Sequence, residues 1–163
     1  MRIVGIDAST NKTGISLFVN EEYKEHVLID LHHIKNSKER LPKMMHEIKQ
    51  TLAKYKPDLI VMEECLMKTN IAAVKLLSYL AGAIISWAAD NKVEFMFQLP
   101  TEWRKRIGFA QGPKVTRAEL KKEAIDMVKK KFGLDVTDDE AESLLVAYSV
   151  FYKEEKNDID IEI

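Results

Sequence analysis

The sequence holds a single cysteine, Cys65, so no internal disulfide can form and a disulfide-stapled secreted scaffold is excluded. Glycine and proline are scarce, at 6 and 4 residues, and nowhere cluster, which excludes collagen-like, mucin-like and low-complexity chains. The histidines, His26, His32, His33 and His46, have no cysteine or carboxylate at ligand spacing and read as surface or packing residues rather than a zinc site. Cys65 has no histidine or aspartate companion in its own segment and reads as a buried thiol, not a nucleophile. The opening MRIVGIDAST lacks the length and cleavage-site character of a signal peptide, so a cytoplasmic location is expected. What is present is a chain of 163 residues, 46% hydrophobic and 31% charged, enough for one self-sustaining core.

Net charge is nearly absent as well, at −1. That sum argues against a nucleic-acid binder, but the charge is unevenly spread. Residues 1–99 carry +1, residues 100–131 carry +6 and residues 132–163 carry −8. A basic block followed directly by an acidic block needs a reason.

Hydrophobic periodicity orders the elements. Ile3, Val4 and Ile6 lead into Asp7, a polar turn follows, and residues 14–20 return as a second strand. Residues 23–34 alternate as a third, so the chain starts as an antiparallel three-strand meander. Residues 38–56 place Leu41, Met44, Met45, Ile48, Leu52 and Tyr55 at helical spacing, up to Pro57. Residues 58–65 form a short apolar run ending in Glu63–Glu64, suited to a buried strand parallel to the first. Residues 70–90 are an apolar helix. Lys75 interrupts it, it barely reaches the roughly 20 residues of a membrane span, and it lacks basic flanks, so no membrane insertion is expected. Its stripe of Leu76, Leu80, Ile84 and Trp87 is a candidate subunit interface. A fifth strand covers 93–99, and helices are expected at 100–109, at 116–132 with Thr116 as cap and Gly133 as stop, and from 138 to about 153. This is an α/β fold with a five-stranded mixed sheet flanked by helices.

The strand ends carry acids. Asp7 closes the first strand and Glu63–Glu64 the fourth; if these are parallel neighbours, the acids meet at one sheet edge. Taken alone, Asp7 also reads as a turn residue bonding the Ser9–Thr10 amides, and Glu63 as an ordinary strand-end charge. Thr137 and Glu140 form a capping box that accounts for acids in the first turn, but Glu142 lies beyond it. Asp139 and Glu142 share a helical face, where like charges repel and a cation turns repulsion into binding. Carboxylates without a Cys or His cluster suit a hard ion such as Mg²⁺ or Mn²⁺. Two such ions about 4 Å apart serve phosphodiester hydrolysis, which makes a two-metal nuclease the most economical reading.

Three segments then resemble the RuvC-type Holliday junction resolvases of the RNase H-like superfamily. Ile3-Val-Gly-Ile-Asp7 with Thr13-Gly14 resembles the opening motif, and Ile60-Val-Met-Glu63-Glu-Cys-Leu-Met67 with Asn70 the second. Asp139-Glu-Ala-Glu142-Ser-Leu-Leu-Val-Ala147 resembles the terminal acidic motif. The resemblance implies an RNase H-like nuclease domain over residues 1–155, followed by a short acidic tail at 156–163. It assigns Asp7, Glu63, Asp139 and Glu142 as catalytic acids binding two Mg²⁺ or Mn²⁺ ions, with Asp138 a rival for Asp139. It also implies a homodimer that cuts four-way or branched DNA by paired incisions. Ala8–Ser9 stands where the family usually has Pro-Gly, Glu142 where it has Asp, and Leu66 and Met67 where cellular members carry an aromatic residue. These departures resemble the compact phage-encoded branch, which would act in the host cytoplasm.

In the basic block, Arg104, Lys105, Arg106, Lys114, Arg117, Lys121 and Lys122 are candidate DNA contacts, offsetting the repulsion between phosphates and the acids. The resemblance places Lys121 or Lys122 near the scissile phosphate, with Lys114 as alternative. Trp103 reads as a core anchor. Competing readings are an RNase H-like nuclease acting on RNA, a non-catalytic junction-binding protein, and an actin-like ATPase. The last needs two lobes where this chain supplies one.

Overall fold

The computed structural model describes residues 1–65, 70–109, 112 and 114–153; Leu66, Met67 and the 156–163 tail lie outside them. The chain runs β1 (Arg2–Asp7), β2 (Lys12–Val19), β3 (Glu22–Asp30), α1 (Ser37–Tyr55), β4 (Leu59–Glu63), α2 (Ile71–Asp90), β5 (Glu94–Gln98), α3 (Pro100–Arg106), α4 (Arg117–Phe132) and α5 (Asp138–Phe151). The five strands form one mixed sheet in the order β3-β2-β1-β4-β5. β1, β2 and β3 pair antiparallel, whereas β4 lies parallel to β1 and β5 parallel to β4. The meander and the buried parallel strand are as expected.

Some ends fall short of the periodicity, each for a local reason. β3 stops at Asp30 rather than running to residue 34, because the Asp30 carboxylate accepts the His32 backbone N–H at 3.0 Å and turns the chain. α3 stops at Arg106 rather than Phe109, since Gly108 adopts φ 85° and breaks the helical run.

Period-two alternation divides the core. Val4, Ile6, Ile15, Leu17, Ile60 and Met62 point to one face, under α1 and α2. Ile3, Phe18, Leu59 and Val61 point to the other, under α3, α4 and α5. On that second face β1 and β2 offer Gly5, Gly14 and Ser16, and α5 lies directly on them. Ser16 donates its hydroxyl to the Ser143 carbonyl at 2.8 Å. A Cβ at Gly5 would overlap the Ser143 carbonyl, and one at Gly14 would overlap the Asp139 carbonyl. The obstacles are backbone atoms, so the helix itself would have to retreat. Gly14→Ala should therefore destabilise the fold by about 2 kcal/mol or more in urea unfolding, and lower cleavage beyond what that loss explains.

α2 corrects an expectation. By length and composition alone it could cross a membrane. It serves instead as the crossover between the adjacent parallel strands β4 and β5, and seats Leu80, Ile84 and Ala88 in the core. Leu80 and Ile84, expected at a subunit interface, are fully buried within the chain, and Leu76 and Trp87 flank them half-buried. The face left open is the opposite one, with Ile71, Tyr79, Gly82 and Ile85. Cys65 corrects another: β4 ends at Glu63, so the thiol has left the sheet and is exposed.

Candidate active site

The sheet register sets the site. Ile3 pairs with Leu59 and Gly5 with Val61 across the parallel β1–β4 ladder. Two residues further on, at the carboxyl end of both strands, stand Asp7 and Glu63. Both share the strand parity of Ile3 and Leu59, so they rise on the face covered by α5. Glu64 has the opposite parity, which separates the two adjacent glutamates; its backbone N–H pairs with the Gln98 carbonyl at 2.9 Å.

α5 supplies the remaining acids. Its capping box is complete: Thr137 accepts from the Glu140 N–H at 3.4 Å, and Glu140 accepts from the Thr137 N–H at 2.8 Å. The cap fixes where the helix begins, and Gly14 lets Asp139 approach the strand pair at Asp7↔Gly14. His26 on β3 reinforces this start, its Nε2 lying 3.5 Å from Glu140 Oε1 while Tyr23 contacts its Nδ1 at 2.8 Å. His26 thus packs and braces, while His32, His33 and His46 lie on the surface, as expected. The turn after Asp7 is closed by Ser9 and Thr13, whose hydroxyl donates to the Ser9 carbonyl at 2.7 Å. That work falls to Ser9 and Thr13 rather than to the Asp7 carboxylate.

Charge converges on Asp7. Burial, then the carboxylates of Glu142, Glu63 and Asp139, push its carboxyl well above the ordinary range. Burial, reinforced by Asp138 and Glu142, also raises Asp139. Asp138 behaves differently. Partial burial would raise it, but an ion pair with Lys121 overrides that and holds it below its usual value. Asp138 is thereby committed to α4, while Asp139 acts on Asp7.

The basic block divides. Lys121 reaches the α5 start through Asp138, whereas Lys122, Lys105, Arg106, Lys114 and Arg117 stand exposed. Arg104 turns inward: its Nη2 lies 3.0 Å from Glu142 Oε1 and 3.4 Å from Glu63 Oε2. Trp103 is fully buried, as a core anchor should be, yet its indole N–H also donates to Glu63 Oε2 at 2.7 Å. Neither contact to Glu63 was legible in the sequence. A Trp-Arg pair on a seven-residue helix carries no signal of what lies 40 residues upstream.

The donor set is carboxylate oxygen, and the repulsion felt at Asp7 shows a centre short of positive charge. Both properties fit a hard divalent cation. As the side chains stand, however, no three potential ligands among the described residues gather around one point.

The family model for the crossover junction endodeoxyribonuclease RuvC matches residues 3–147. The chain is similar to the RuvC of Carboxydothermus hydrogenoformans, at 26% identity over 94% of this chain and 97% of the relative. It is also similar to that of Caldicellulosiruptor saccharolyticus, at 26% identity over 96% and 99%. Among solved structures, Thermus thermophilus RuvC in complex with Holliday junction substrate shares the fold, with TM-score 0.73, 16% identity and 91% of each chain covered. The fowlpox virus resolvase in complex with Holliday junction DNA shares it at TM-score 0.61 and 16% identity, over 92% and 96%.

Proposed function

The chain belongs to the RuvC family of crossover junction endodeoxyribonucleases and is an endonuclease on four-way DNA junctions; on that premise we propose that Asp7, Glu63, Asp139 and Glu142 hold the divalent ions with which it hydrolyses the phosphodiester. The observation that carries the assignment is the convergence on Asp7, at the end of β1, of three neighbouring carboxylates, one from the end of β4 and two from α5. Two Mg²⁺ or Mn²⁺ ions per site would supply transition-state charge and make water a competent nucleophile.

The chain's own residues do the positioning. Strand backbone fixes Asp7 and Glu63, and the Trp103 indole N–H fixes the orientation of the Glu63 carboxylate. The capping box and Gly14 fix Asp139 and Glu142. Lys121, held by Asp138 at the start of α5, is the lysine best placed to meet a phosphate at the rim. The exposed Lys105, Arg106, Lys114, Arg117 and Lys122 offer phosphate contacts farther out, which a salt titration of junction binding would register.

The test is incubation with labelled four-way junctions, forks, flaps and RNA–DNA hybrids in Mg²⁺ or Mn²⁺. Paired symmetric cuts confined to the four-way junction, abolished by chelator, are expected. Preferential cutting of the hybrid would overturn the assignment in favour of an RNA-directed nuclease.

Paired cuts require two active sites, and a second copy of this chain supplies the other with two-fold symmetry. The surface that suits it is the open face of α2. Ile71, Tyr79 and Ile85 are 79%, 50% and 40% exposed there, and Phe97 extends the apolar area onto the edge strand β5. The double variant Tyr79→Glu/Ile85→Glu should sediment as a monomer and nick junctions without resolving them. A dimer at wild-type affinity would exclude this face.

A further inference from the structure

We propose that Arg104 is an exchangeable counter-ion of the acidic centre: its guanidinium holds the space between Glu63 and Glu142 and must leave it when a divalent cation enters. This rests on the metal site proposed above.

Arg104 does not behave as a surface phosphate contact. Its side chain is only 16% exposed, and it is shared between carboxylates from β4 and α5, 3.4 Å and 3.0 Å away. The guanidinium carbon lies 4.8 Å from the Trp103 ring centroid, so the buried indole supports it from behind. Its place is nevertheless incompletely satisfied, because Nε is buried without a hydrogen-bond partner. The two oxygens it engages belong to proposed metal ligands, and a guanidinium there competes directly with a cation for them. The same placement accounts for carboxylates that share one electrostatic neighbourhood without yet gathering around a point.

The exchange has a defined beginning and end. Glu63 keeps its 2.7 Å bond from the Trp103 indole when the guanidinium departs, so one ligand stays oriented. Arg104 sits beside the exposed Lys105 and Arg106 on α3, so a swing outward adds a third cation to that surface. Substrate phosphate can receive it there. Metal uptake and DNA binding would then favour each other through one side chain, as linkage requires.

The experiment measures Mn²⁺ binding without DNA, from the spin-resonance signal of free Mn²⁺, for wild type, Arg104→Gln and Arg104→Lys. Removing the competing charge should tighten Mn²⁺ binding by about threefold to tenfold in Arg104→Gln, while Arg104→Lys stays near wild type. A second readout uses Trp103 emission in a Trp87→Phe background. Mg²⁺ should change that emission when Arg104 is present and change it little in Arg104→Gln. Equal or weaker Mn²⁺ binding by an Arg104→Gln protein with wild-type circular dichroism overturns the proposal. So does Trp103 emission indifferent to Mg²⁺ when Arg104 is present. Failure of the wild type to bind Mn²⁺ would overturn the metal site itself, whereas binding that ignores Arg104 would overturn only the counter-ion.

Discussion

Asp7→Asn should lower junction cleavage by about a thousandfold or more, the scale of losing several kcal/mol of charge stabilisation at the reacting phosphate, while junction binding survives. The reason is positional. Asp7 stands at the end of β1 between Glu63 on the parallel strand and the acids of α5, and it feels three of their charges at once. The same variant should melt higher than wild type without metal at neutral pH. Burial and those carboxylates raise the folded-state pKa of Asp7 above the unfolded value. The folded protein therefore keeps a proton that the unfolded chain has released, and stability falls as pH rises from the ordinary carboxylate range through the raised value. Asparagine removes both the charge and that dependence. Melting curves across pH, with chelator, should show a flatter profile for Asp7→Asn. Cleavage within tenfold of wild type in Mg²⁺ would sink the proposed centre.

Asp139→Asn and Asp138→Asn should differ sharply despite being neighbours. Asp139 is raised by burial and by its carboxylate neighbours and acts on Asp7, so its loss should cost about a hundredfold or more in cleavage rate. The Asp138 charge is neutralised by Lys121 at the helix start. Its loss should stay within about tenfold, since a partly exposed ion pair contributes little beyond placing Lys121. Single-turnover cleavage in saturating Mg²⁺ separates the two. Equal effects would remove the distinction between them.

Much of the fold was legible because burial imposes periodicity. Strands β1, β4 and β5, helix α1, the Thr116 cap and the Thr137–Glu140 capping box follow from local pattern, and the charge reversal after residue 131 marks where a helix of acids begins. Where expectation failed, the missing information was long-range. Leu80 and Ile84 read as an interface stripe, but an apolar helix does not state which side meets the sheet. Cys65 reads as buried beside an apolar run, yet two residues past the strand end suffice to expose it.

The near-zero charge shows the same division. By itself the sequence determined that the balance conceals a basic and an acidic block, that Asp7 and Glu63 end strands, and that Asp139 and Glu142 share one helical face. Only the tertiary structure decided how the charges pair. It drew Arg104 out of the basic block into the acids, assigned Asp138 to Lys121, and left Asp139 to act on Asp7. Parity along a strand is written in consecutive residues. Which cation lies within 4 Å of which carboxylate depends on the packing of α3 and α5 against one sheet edge, across separations of some forty residues.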